Sequence, residues 1–84
     1  MIKEICGELV LSFDDKKTAE VVLNSVTPDN LKVPPYIRIE ARQLKNKIIF
    51  NIHVYEKGIG PLINTFNDLI RCIQAVVDTI SLIN

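Results

Sequence analysis

The chain has 84 residues, 48% of them apolar, and its ten basic and ten acidic side chains cancel to a formal charge of zero. That length makes one small domain, residues 1–84, and the neutral balance supplies neither strong nucleic-acid affinity nor attraction to a membrane surface. Two cysteines make no disulfide framework, and a single histidine with two distant cysteines gives no zinc spacing.

Residues 2–13 read as a strand, with Ile5, Leu9, Leu11 and Phe13 alternating against Cys6, Glu8, Val10 and Ser12. Asp14 or Asp15 then suits an N-cap. Ala19, Val22, Leu23 and Val26 follow at helical spacing, which predicts a helix from Asp15 to Val26. Thr27 precedes a proline and is biased out of helical geometry. Pro28, Asp29 and Asn30 complete a turn, and Pro34-Pro35 hold the chain extended. A second strand runs from Tyr36 to Gln43, with Ile37, Ile39 and Ala41 on one face and Arg38, Glu40 and Arg42 on the other. Leu44-Lys45-Asn46-Lys47 is a short turn, with Asn46 suited to positive φ. The third strand, Ile48 to Tyr55, is the most apolar and is expected at the centre of the sheet.

After Gly58-Ile59-Gly60, a helix is predicted from Pro61 to Ile83, roughly 35 Å long. Its apolar positions are Leu62, Ile63, Phe66, Leu69, Ile70, Ile73, Val76, Val77, Ile80 and Ile83. They span an arc of about 160°, whereas a helix lying on one sheet needs about 100°. The surplus implies a helical partner. The order β-α-β-β-α predicts an α+β fold: a three-stranded antiparallel or mixed sheet, order 1-3-2, covered on one face by two helices. An uncovered sheet edge on so small and apolar a domain, with roughly 60–65% of its surface buried on folding, points to self-association.

No nucleophile–base pair is legible, so no catalytic residue, metal or cofactor is expected. His53 reads as a structural histidine, and Cys6 and Cys72 as small, partly buried fillers. The pair Gly58 and Gly60 lacks the third glycine of a dinucleotide loop, since position 63 is Ile63. A Gly-x-x-Gly loop between two helices, as in a KH domain, is absent from the sequence. The polar run Asn64-Thr65-Asn67-Asp68 reads as a solvated first turn. Arg38, Arg42, Lys45 and Lys47 form the one basic patch, diluted by Glu40. Met1-Ile2-Lys3-Glu4 does not open a signal peptide, and the apolar region after Pro61 is too often interrupted by polar residues to span a bilayer. A cytoplasmic protein with reduced cysteines is expected.

Thr27-Pro28-Asp29-Asn30 after the first helix, Pro34 before a strand, then a hairpin and a helix carrying Thr65-Phe66-Asn67-Asp68-Leu69-Ile70, resemble the small dimerising subunit of the archaeal KEOPS complex, the Pcc family. The resemblance spans Ile5 to Ile80. It implies a non-catalytic role in placing the threonylcarbamoyl group on the adenosine beside the tRNA anticodon. Implied partners are a second copy or a paralogue, the ATP-binding transferase subunit, and tRNA within the complex, with no membrane and no small-molecule substrate. Carried onto this chain, the transferase-facing residues are Val21, Ser25, Ile63, Phe66, Asn67, Ile70 and Val77. Leu69, Ile73, Val76 and Ile80 form the edge assigned to the sheet, although either edge suits either task. Arg38, Arg42, Lys45 and Lys47 are the tRNA candidates. The competing reading is an independent RNA-binding module using the basic hairpin.

Overall fold

The structure is a computed structural model that describes residues 2–26 and 33–83, with side chains described as far as residue 80. The turn motif Thr27, Pro28, Asp29 and Asn30 lies outside the described residues. The elements are β1 (Glu4–Ser12), α1 (Lys16–Ser25), β2 (Ile37–Leu44), β3 (Lys47–Tyr55) and α2 (Ile59–Ile83). The strands form one sheet in the order β1-β3-β2, and both pairings are antiparallel. The most apolar strand is central, as its composition dictates: Ile48, Phe50, Ile52 and Val54 are all fully buried on one face.

Both helices cover that face. Ala19 and Val22 of α1 and Leu62, Leu69 and Ile73 of α2 close the core around Phe50. α1 lies over β2 and β3, and α2 over β1 and β3. Among the described residues, no helix is long and apolar enough to cross a membrane.

Local chemistry explains the boundaries. Asp15 caps α1: its Oδ1 accepts from the Thr18 N–H at 2.7 Å. That bond stabilises the charged carboxylate and lowers its pKa below 3.8. A lowered folded pKa contributes stability above the unfolded value, and this is lost as pH falls through the folded value. Asp15→Ala is therefore expected to lower the melting temperature at neutral pH and to have a shrinking effect as the pH falls well below 3.8. Thermal melts of both proteins across that range check the sign.

The β2–β3 turn corrects one expectation. Lys45, not Asn46, takes the left-handed conformation, with φ of 58°. Asn46 is instead spent on tying down the end of β1. Its side-chain amide donates to the Phe13 carbonyl at 2.6 Å, and its own carbonyl accepts from the Phe13 N–H at 2.8 Å. Among the described residues, Glu56, directly after β3, is the other non-glycine residue with positive φ, at 55°.

Two further expectations change. Thr65 is buried rather than solvated, and its hydroxyl donates to the Pro61 carbonyl at 2.8 Å, so no polar atom is stranded. Cys6 and Cys72 are exposed, not fillers.

Candidate functional site

Helix geometry divides the expected transferase-facing residues. At about 100° per residue, Ile63, Phe66, Ile70 and Val77 lie on one side of α2, while Ala75 and Thr79 lie on the other. The second side borders α1. There Val21, Ser25, Ala75, Val76, Thr79 and Ile80 line an open, mostly apolar groove of 380 Å³. The Ser25 hydroxyl donates back to the Val21 carbonyl at 2.9 Å, which removes much of the groove's polarity. Val21 is 38% exposed.

The first side of α2 overlooks β1. Ile63 and Ile70 are each about half exposed, at 49% and 47%, with Asn67 exposed between them. Phe66 and Val77, however, are half-buried against the core. Val21 and Ser25 thus come together with the far half of α2, and not with Ile63 and Ile70.

The position of Phe66 depends on Gly7. A β-carbon at residue 7 would sit 2.5 and 2.6 Å from the Phe66 ring atoms Cε2 and Cζ, and 3.3 Å from Leu62 Cδ1. The bare backbone of β1 is what lets the ring lie against the sheet. Gly7→Val is expected to displace the ring and cost about 1–3 kcal/mol. Adding Phe66→Ala to that variant should cost less than Phe66→Ala alone. Urea unfolding of the four proteins in this cycle reads the difference, and additive costs would refute the contact.

The face of the sheet away from the helices carries polar chemistry. Antiparallel register places Cys6 beside His53, and Arg38 on His53's other side. His53 Nδ1 lies 3.2 Å from Cys6 Sγ and 3.3 Å from Glu4 Oε2, while Nε2 lies 3.0 Å from Glu40 Oε1. The imidazole stacks on the Tyr55 ring, with centroids 6.3 Å apart. Arg38 bonds Glu40 at 3.0 Å, which holds the Glu40 carboxylate below its usual pKa and raises that of Arg38. Both partners are well exposed, so the pair adds little stability. Partial shielding from water, reinforced by Glu4, pushes the Cys6 thiol up, so it stays protonated at neutral pH. Sequence distance hid this cluster, since Cys6 and His53 are far apart in the chain. Their adjacency follows only from the β1–β3 register.

The basic patch is split as well. Arg38 is engaged by Glu40, while Arg42, Lys45 and Lys47 form no ion pair among the described residues. Lys45 and Lys47 flank a shallow hollow at the hairpin tip with Leu44 and Asn46.

Together these features define a small α+β protein, a three-stranded antiparallel sheet with two helices on one face and exposed apolar residues on both sides of the longer helix. The chain belongs to the family described as transcription factor Pcc1, whose model matches residues 7–81. Its fold is similar to that of a chain in the crystal structure of a binary complex Gon7-Pcc1, with a TM-score of 0.79 at 16% identity, covering 95% of this chain and 96% of that one. Comparison with curated proteins gave no match.

Proposed function

We propose that this chain is a non-catalytic subunit of KEOPS, the tRNA-modifying assembly, which pairs with a second copy or a paralogue and binds the ATP-binding transferase subunit through its helices. The observation that carries this reading is the presence of two separate apolar surfaces on opposite sides of α2, joined to membership of the Pcc1 family. One surface is the groove between α1 and α2, whose open, apolar lining suits a helix of the transferase. The other is the Ile63–Ile70 side beside β1, an edge strand with unpaired backbone groups, which suits a second copy. Arg42 on β2, with Lys45 and Lys47 at the tip of the β2–β3 hairpin, supplies a contact for tRNA held by the assembled complex.

The family's description as a transcription factor invites a DNA-reading alternative. Such a role needs a basic helix that fits the major groove. α2 has Arg71 as its one cation, against Asp68 and Asp78, and α1 has Lys16 and Lys17 at its start with Glu20 one turn on. This charge distribution favours protein contact over DNA contact.

Mass measurement tests the reading, first on the protein alone at micromolar concentration and then on the protein co-expressed with the transferase subunit. A dimer that co-purifies with the transferase is expected. A monomer that fails to co-purify would overturn it.

A further inference from the structure

The polar cluster on the open sheet face plays no part in the surfaces above, and its donor atoms are arranged around a common centre. Glu4 Oε2, Cys6 Sγ and His53 Nδ1 all lie within 4.8 Å of one another. The sulfur–nitrogen and nitrogen–oxygen separations are 3.2 and 3.3 Å. Zinc bonds of about 2.3 Å to sulfur and about 2.0–2.2 Å to nitrogen and oxygen, set at tetrahedral angles, place such ligands roughly 3.3–3.6 Å apart. The three side chains therefore stand close to ligating positions already.

Two neighbours prepare the imidazole for that task. The Glu40 carboxylate takes the Nε2–H at 3.0 Å, which directs the Nδ1 lone pair toward Cys6 and Glu4. A carboxylate on the far nitrogen is the arrangement that orients metal-binding histidines and strengthens them as ligands. Arg38 holds that carboxylate in turn, and the Tyr55 ring lies alongside, tilted only 10° from the imidazole plane. In this tautomer Nδ1 faces two groups, and a single S–H proton serves only one of the close acceptors. A cation at the centre satisfies all three.

We propose that Glu4, Cys6 and His53 bind one thiophilic divalent transition-metal ion, Zn²⁺ by the chemistry of the donor set, with the Cys6 S–H proton released to solvent as the metal–sulfur bond forms and Glu40 as the positioning residue behind His53. A sulfur, an imidazole nitrogen and a carboxylate oxygen select zinc over magnesium or calcium, which take oxygen ligands. The fourth position opens to solvent and is filled by water. The ion clips β1 to β3 across the sheet, a useful addition in a chain whose core is small. The competing arrangement is metal-free: a doubly protonated His53 donating to Glu4 and Glu40 at once.

Cobalt(II) is the probe, added to the full chain under a non-thiol reductant. The expected result is one equivalent bound, with a thiolate-to-cobalt charge-transfer band and the intense visible bands of a tetrahedral site, all displaced by Zn²⁺. Cys6→Ser should abolish the charge-transfer band. His53→Ala should weaken binding at least tenfold. Glu40→Gln should keep the band but weaken binding about 10–100-fold. Cys72→Ser should change nothing. X-ray absorption of the zinc-loaded native protein reads the ligand set without any substitution, so a poorly folding variant leaves the test intact. Absence of the band, its persistence in Cys6→Ser, its loss in Cys72→Ser, or a zinc shell without sulfur would each overturn the proposal.

Discussion

Replacing Phe50 by Ala is expected to destabilise the protein by about 3–5 kcal/mol, the usual cost of removing a fully buried ring. A chain of 84 residues has a total stability of roughly 4–13 kcal/mol. The substitution thus removes a large share of it and brings the chain close to unfolding at room temperature. Phe50 sits on the central strand with Ile48, Ile52 and Val54 on the same buried face, and both helices close over them. Among the described residues, no further layer stands behind this core to compensate. Urea unfolding at fixed protein concentration checks the prediction through a fall in midpoint with an unchanged slope. Ile49→Ala provides the contrast. Ile49 is 8% exposed, but on the opposite face of β3, between Val10 and Arg42. Its shield is a half-exposed valine and the aliphatic stem of an arginine, which can settle into the space left behind, so the loss should be smaller.

Most of this fold is legible from periodicity. The alternation Ile48, Phe50, Ile52, Val54 marks the central strand, because its other face carries Asn51 and His53 and the neighbouring strands are less apolar. The general preference for right-handed β-α-β crossovers then makes β1-β3-β2 the natural order. The helix starting after Asp15 is announced by its cap. What stays hidden depends on register or on direction. Cys6 and His53 meet because Glu4 pairs with Tyr55, and a one-residue slip would put them on opposite faces. Nothing in the local sequence of either residue encodes that pairing. The width of the apolar stripe on α2 shows a surplus, yet not which side rests on the sheet. The structure resolves this through two small features. Gly7 admits Phe66 to the sheet, and Thr65 satisfies its own hydroxyl against Pro61, so that a polar residue occupies a core position. Both turn an expected outward residue inward and rotate the exposed apolar line to Ile63 and Ile70.

That rotation leads to the second large effect. Ile63→Asp combined with Ile70→Asp is expected to abolish self-association while leaving transferase binding intact. Val21→Asp combined with Ala75→Arg should do the reverse. Each pair places charge at the middle of one apolar surface, where a contact residue is worth about 2 kcal/mol or more, roughly a 30-fold loss of affinity. The four residues are partly or largely exposed in the single chain, so the fold should tolerate the changes. Melting temperatures within a few degrees of the native chain would verify this, subject to the loss of any stability that association itself supplies. Light scattering reads the oligomer, and co-purification reads the transferase. The two helix sides are separated by the buried line Leu62, Leu69 and Ile73, which lets each contact fail alone. If either pair of substitutions removed both interactions, the two sides would be parts of one interface, and the division drawn from the geometry of α2 would be wrong. If the pairs acted in the opposite sense, the groove between the helices would be the self-association surface, and the side beside β1 would hold the transferase.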